Sequence, residues 1–563
     1  MTLFTIALIS VALFAAGYLV YGRLLARWFG LSASTTTPAC ERNDGVDYVP
    51  AKAPFLLGQH FSAIAAAGPI VGPILAGLWF GWLPALLWIV FGAIFFGAVH
   101  DFAALVSSVR NQARSIVEMV RDELGPTAHL FFMGFVWLSL IYVIVAFTDL
   151  TSASFTEPAY GGGIAGSSAW YLVAGVAMGL CLYRLRMPLW LATALFVPLV
   201  GLIIWYGQSM PLSLPALGSI RPQLVWNFVI LGYCFAASII PMWLLLQPRG
   251  YLGGFFLYAA LAGGVIGLFL GGDRVQYPAF LGWTSAKGFP LFPVLFVTVA
   301  CGACSGFHGI VSSGTTSKQI SREPDCRLVG YGGMLLEGLV AVIALSTVML
   351  LAPADPMAQQ SPDRIYANGL SHFVERIGIN RNFAHSFALL AFATFIYDTL
   401  DVATRLGRYV LQELTGWAGR RGRAAATLCT LIIPAICVSL TVRDAAGNIV
   451  PAWKVFWTIF GTSNQLLAAL TLLTVTVWLR RTGRPWWISA APAAFLLVMT
   501  LWSLGLMAAP WLQGLLQGRW RVDGIAWIAL LLLALAVAVA YEAARVLLTR
   551  SSTIRSTSPS VTP

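Results

Sequence analysis

The stretch that decides the fold is 58-GQHFSAIAAAGPIVGPILAG-77. It lies inside an apolar run of membrane-spanning length, yet Gly68-Pro69 and Gly72-Pro73 set two helix-breaking pairs four residues apart, with His60 upstream. Proline removes a backbone donor and clashes with the preceding turn, while glycine leaves helical geometry at little cost. In lipid, the carbonyls so freed must be buried or line a wet cavity. The pattern predicts an unwound segment within a membrane helix, followed by a half-helix N-terminus that suits an anion. A kink that serves packing is the competing reading, and two Gly-Pro pairs in one helix favour a site.

The surrounding chain supports a membrane setting. Of 563 residues, 58% are hydrophobic and 10% charged, and the mean hydropathy is +0.80. A soluble chain carries about a quarter charged residues. Apolar runs recur from end to end, so an all-α polytopic membrane protein of about fifteen spans is expected. They fall near 2–22, 55–80, 82–105, 128–149, 168–183, 188–206, 224–246, 251–270, 290–314, 328–351, 383–404, 424–441, 454–478, 486–508 and 524–546.

The net charge of +12 could suggest nucleic acid, but its distribution points elsewhere. With the N-terminus outside, most of the 34 basic residues fall in cytoplasmic loops, among them Arg23, Arg27, Lys52, Arg110, Arg114, Arg249, Lys318, Arg322, Arg480 and Arg481. This bias predicts N-out, C-in, and accounts for the charge with no nucleic-acid partner. The segment 1–22 has no basic region ahead of its apolar run and reads as a retained extra helix. Residues 23–54 form a polar cytoplasmic loop, 113–125 a short amphipathic helix, and 352–382 the longest outer loop. The Ser/Thr/Pro-rich tail, 550–563, reads as disordered. Cys301 and Cys304 sit within a span and read as small packing residues.

Following orientation along the chain suggests a five-plus-five inverted repeat, 55–206 and 224–413, with additional helices at 424–546. The leading spans both carry interruptions, Gly68–Pro73 in one and Ser238–Pro241 in the other, which places a binding site at the two breaks. The repeat rests on topology, since no identity between the halves is evident.

Three further clusters could carry chemistry. In 301-CGACSGFHGIVSSGTTSKQI-320, residues Ser305, His308, Ser312 and Thr315 share one helix face. His308 is a candidate for proton coupling. Ser312, Ser313, Thr315 and Thr316 could offer oxygens to a cation or bond back to their own helix. In 393-ATFIYDTLDVATRLGRYVLQEL-414, Asp401 and Arg405 are spaced to neutralise each other as a gate or brace. Asp398 has no partner one turn on, so it needs a charge from another helix or carries a proton. His60 and Glu337 complete the proton-coupling candidates. His100, Asp101 and Asp149 fall near span ends, where solvation makes them inexpensive. The Gly461–Gln465 run reads as helix-to-helix glue. The dispersed histidines show no metal-ligand spacing, and no nucleotide loop or hydrolase elbow stands out, so neither a metal, a cofactor nor an enzymatic activity is expected.

The blocks "GQHFSAIAAAGPIVGPILAG", "GAVHDFAALVSSVRNQARSIVEMV", "ACGACSGFHGIVSSGTTSKQI", "DVATRLGRYVLQEL" and "FGTSNQLLAALTLL" resemble those of the carbon starvation protein family, CstA, in the expected order over most of residues 50–480. The resemblance implies a bacterial inner-membrane importer of peptides or pyruvate, induced when preferred carbon runs out. It also implies kinship with amino acid–polyamine–organocation transporters. Relatives commonly carry glutamine where this chain has His100. Asp401 matches the family pattern, and Asp398 is particular to this chain.

Together these readings predict a secondary-active, proton-coupled importer. Gly68, Pro69, Gly72, Pro73, Ser238, Ser305 and His308 would line the substrate site. The alternatives are a sodium-coupled symporter, a cation channel, or a non-transporting nutrient sensor whose receptor surface is 352–382.

Overall fold

The structure is a computed structural model; it describes every residue except 45–47, 208, 217, 219, 242, 441–450, 519–522 and 549–563. The tail 550–563 therefore lies outside the described residues. Among those described, the chain is helical, apart from three isolated bridges.

Among the described residues, thirteen helices are long and apolar enough to cross a membrane, and one further pair, Ala53–Ile64 and Gly68–Phe80, is bent by 50° at a short break. These account for fourteen of the expected spans. The remaining stretch, 290–314, is not one helix. It is divided into Leu291–Thr298, Ala300–Ala303 and Gly306–Val311, followed by a wide π-helical turn, Ser312–Thr316.

The break expected at Ser238–Pro241 is not inside a span. Helix Pro222–Ile239 ends there, Ile240 is extended, and the next helix, Leu246–Leu270, starts a few residues on. Pro241 terminates a helix at its end, where the residue before proline avoids helical geometry. Ser238 is buried against Thr427, with their hydroxyls 3.3 Å apart. The second broken segment is therefore 291–316, two spans later than expected.

Loop contacts define two ends. At one, Glu323 receives the backbone N–H of Ser32 at 2.8 Å and pairs with Arg110, and Ala51 bridges to Ile320. At the other, Asp273 accepts from Arg376 at 2.8 Å, its carbonyl accepts from the N–H of Leu3 at 2.9 Å, and Arg364 reaches Glu157 at 2.8 Å. Within segment 352–382, helix Pro362–Glu375 packs across Leu246–Leu270 and Arg381–Thr415 at this second end. The amphipathic segment is helix Ile116–Leu124, opened by a Ser115/Glu118 capping box. Its apolar face is covered by Pro126–Phe155 and Ala452–Arg481.

Candidate functional site

The first break is formed by Ala65, Ala66 and Ala67, not by the Gly-Pro pairs. Ala65 leaves helical geometry (φ −78, ψ 79), and Gly68 opens the second helix with Pro69 in its first turn. Proline is well placed there because the first-turn N–H has no intrahelical acceptor. Pro73 lies inside that helix. The glycines serve close approach. A Cβ on Gly68 would lie 2.2 Å from the Cys301 sulfur, and one on Gly72 would lie 2.4 Å from the Thr298 carbonyl oxygen. The two broken segments thus cross backbone to backbone.

The second break turns at Val299 and again at Cys304 and Ser305, both extended. Its freed groups are satisfied from a distant span. Asn464 Oδ1 accepts the Phe307 N–H at 2.9 Å, its Nδ2 donates to Ser305 Oγ at 3.0 Å, and Gln465 Nε2 donates to the Phe296 carbonyl at 3.1 Å. The glue reading of 461–465 fits these bonds. Replacing Asn464 with alanine strands the Phe307 N–H and Ser305, so about 1–3 kcal/mol of stability should be lost, read as a lower melting temperature of the purified protein. Unchanged melting would show that the break is held by other means.

Beside the breaks lies a buried chain of ionisable groups. Asp101 accepts from His100 Nδ1 at 2.7 Å and His308 Nδ1 at 2.9 Å, and His308 Nε2 stands 3.1 Å from Glu337 Oε2. All four residues are fully buried. The expectation that His100 and Asp101 sit at a solvated span edge is overturned. Helix Trp82–Arg110 runs well past Asp101, and the break segment folds over it. Wide π-helical turns at Ala93–Gly97, Ser312–Thr316 and Arg327–Gly332 adjoin the helices that carry this chain. Such turns concentrate at functional positions. His60 Nδ1 meets Thr316 Oγ1 at 2.9 Å, and a Cβ on Gly333, one turn from Glu337, would lie 3.0 Å from the His60 ring.

His308 faces two carboxylates. Asp101 accepts the hydrogen bond from Nδ1, while Nε2 and Glu337 Oε2 stand at ion-pair distance with no hydrogen bond between them, so the ring and the carboxyl are the places where a second proton can sit. One proton therefore has two adjacent seats.

A second charged cluster centres on Arg249. Its Nε donates to Asp398 Oδ1 at 2.8 Å, Nη2 bonds the same oxygen, and Nη1 pairs with Asp401 Oδ2 at 2.6 Å. Tyr233 donates to Asp401 Oδ2 at 2.8 Å, and Ser62 to Asp398 Oδ2 at 3.0 Å. Charge distribution along the sequence places Arg249 in a loop, but helix Leu246–Leu270 begins before it and buries it completely. A Gln-Pro pair at the helix start disguises that position as loop in the sequence. Asp401 does not pair with Arg405. Arg405 instead donates to the Ala237 and Ile240 carbonyls at 2.6 and 2.8 Å, capping helix Pro222–Ile239. Asp398, which needed a charge from another helix, finds Arg249.

Of the four hydroxyls weighed for a cation, three have separate partners and Ser312 Oγ is buried with none among the described residues. Ser313 and Thr315 donate to their own helix carbonyls at 2.6 and 2.9 Å, Thr316 meets His60, and Ser312 is buried.

Three adjoining cavities enter from the end bearing Lys52 and Lys318. One of about 400 Å³ is lined by Val49, Lys52, Phe55, Gln59, Gln247 and Gln319, and another of about 290 Å³ by Thr315, Lys318, Arg405 and Tyr409. A deeper one of about 90 Å³ shares Gln59, Gln247 and Gln319 and ends on Ser62, Thr315 and Asp398. Gly68, Pro69, Gly72 and Pro73 line none of these three, because they are packed against 298–301.

Broken spans crossing beside ionisable groups sealed from lipid define a multi-pass membrane carrier. The chain belongs to the carbon starvation protein CstA family, whose model matches residues 2–365 and 353–503. It is 31% identical over 569 residues to Peptide transporter CstA of Escherichia coli, covering 88% of this chain and 80% of that protein. It is 33% identical over 567 residues to Peptide transporter CstA of Helicobacter pylori, with coverages of 88% and 80%. To the Pyruvate/proton symporter BtsT of Escherichia coli it is 30% identical over 590 residues, covering 89% and 81%.

Proposed function

We propose that this protein is a secondary-active, proton-coupled importer of small carboxylate solutes, short peptides or pyruvate, used under carbon starvation in the bacterial inner membrane. The observation that carries the reading is the fully buried His308 flanked by Asp101 at 2.9 Å and Glu337 at 3.1 Å, beside two broken spans. Ionisable groups inside a membrane are costly and mark ion pathways. The cavity that ends on Ser62, Thr315 and Asp398 gives the substrate a place next to that pathway. His60, bonded to Thr316, supports a link between the two, because Thr315 and Thr316 belong to the same turn.

In this reading His60, His308, Asp101 and Glu337 carry the proton, and Gln59, Ser62 and Thr315 contact the substrate. Ser305 holds the second break, and Arg405 braces the cytoplasmic side. The positive-inside bias supports N-out, C-in, which makes the cavity end cytoplasmic and this conformation inward-facing. Residues 55–206 and 224–413 would form the core, with the second break in the third span of the latter half. A pyruvate/proton symporter among the relatives favours protons over sodium.

Proteoliposomes loaded with the full chain test this. Labelled pyruvate or labelled dialanine should accumulate when an inward proton gradient is imposed, and a sodium gradient should not replace it. Binding with no accumulation under either gradient would move the assignment to a sensor. Accumulation under sodium alone would replace the coupling ion.

A further inference from the structure

We infer that Arg249 is the anchor for the substrate carboxylate, and that Asp398 is a built-in carboxylate that occupies Arg249 until a proton displaces it. The inference rests on the reading of the protein as a carboxylate importer.

Arg249 lies behind the cavity, fully buried, while Asp398 and Ser62 line the cavity and stand in front of it. A buried guanidinium must keep anionic partners. Asp401 holds Nη1 and is itself held by Tyr233, so this side is fixed. Asp398 holds Nε and Nη2, both through its single oxygen Oδ1. That paired edge is the one a free carboxylate recognises in two-pronged fashion. Asp398 Oδ2 converges with Ser62 Oγ and Tyr171 hydroxyl around Gly253, at 2.7, 3.1 and 3.3 Å from where a Gly253 Cβ would lie. The absent side chain leaves room for these three oxygens, two of which, on Ser62 and Asp398, belong to residues that line the cavity.

The groups that face Asp398 are Arg249 from Leu246–Leu270, Tyr171 from Gly161–Tyr183 and Asp401 from its own helix; Ala53–Ile64 presents Ser62, and Tyr233 from Pro222–Ile239 faces Arg249 and Asp401. Tyr171 already donates to the Arg249 carbonyl at 2.6 Å. At rest the cluster holds one guanidinium and two carboxylates. When a proton neutralises Asp398 and a substrate carboxylate takes its place on Arg249, the cluster again holds one guanidinium and two carboxylates. Buried charge is conserved, so one proton enters for each carboxylate. Import is electroneutral for pyruvate and moves one positive charge for a zwitterionic dipeptide. Ser62, three residues before the break that opens at Ala65, bonds Asp398 Oδ2 and must change partner when Asp398 swings off Arg249, which ties occupancy to the broken helix.

The test measures equilibrium binding of labelled pyruvate and labelled dialanine to the full chain in nanodiscs, at mildly acidic and mildly alkaline pH. Binding to the unaltered protein should strengthen in acid, and neither methyl pyruvate nor dialanine amide should compete. Asp398→Asn should bind with little pH dependence. Arg249→Lys, which cannot present the planar fork, should bind about tenfold more weakly or worse. Effective competition by the carboxylate-blocked analogues overturns the anchor, and so does unchanged binding in Arg249→Lys. If the lysine variant does not fold, the analogue competition and pH profile of the unaltered protein decide. No binding of either labelled compound by the unaltered protein sinks the importer reading and the anchor with it; binding without dependence on the carboxylate sinks the anchor alone.

Discussion

Asp101→Ala should abolish proton-driven accumulation and cost about 3–5 kcal/mol of stability, the range seen when one partner of a buried ion pair is removed. Asp101 alone accepts from both His100 and His308, and its carboxylate fixes the ring orientation that brings His308 Nε2 to Glu337. Without it, two buried imidazoles lose their acceptor in a region where water cannot replace it. Glu337→Gln is the gentler companion. It keeps the shape and an acceptor oxygen but removes one of the two seats, so substrate exchange without a gradient should survive while accumulation is lost. Uptake by both variants under an imposed proton gradient, together with melting temperatures in detergent, checks this. Unaltered accumulation in Asp101→Ala would remove the buried chain from the mechanism.

The second large effect is expected at Gly72. Its added methyl would meet the Thr298 carbonyl oxygen at 2.4 Å and the Val299 Cα at 3.3 Å, both backbone atoms with no rotamer in which to yield. Gly72→Ala must therefore push the two broken segments apart at their crossing, at a cost of about 1–3 kcal/mol or more. A lower melting temperature and reduced transport are the expected results. Gly68 offers a control of different character, because its added methyl would collide with the Cys301 side chain. Cys301→Gly should then partly rescue Gly68→Ala, whereas no side-chain change at 298 or 299 can relieve Gly72→Ala. Equal melting of Gly72→Ala and the unaltered chain would falsify the close crossing.

These contacts show where sequence patterns stop being informative. The Gly-Pro pairs correctly marked a broken span, but the break falls at Ala65–Ala67, because Pro69 and Gly68 are good first-turn residues and Gly72 is needed for contact. The second break, at 299–305, carries a weak local signal because its backbone is satisfied by Asn464, more than 150 residues away. Local spacing likewise paired Asp401 with Arg405. The fold instead offered Asp401 a buried guanidinium and offered Arg405 two open carbonyls at a helix end.

The sequence by itself determined the membrane class, the position of nearly every span, the family, and the residues His60, His308, Glu337 and Asp398 as costly charges needing partners. The family rests on the resemblance of its sequence blocks; the rest follows from composition and length, because a bilayer demands about twenty apolar residues per helix and penalises every exception. The tertiary structure decided which charge meets which. It drew Asp101 and His100 from an apparent span edge into a closed chain with His308, and Arg249 from an apparent loop into the cluster with Asp398 and Asp401. Partner choice among buried charges depends on which helices cross and at what depth, and that is settled by backbone contacts such as Gly72 on Thr298 rather than by spacing along the chain.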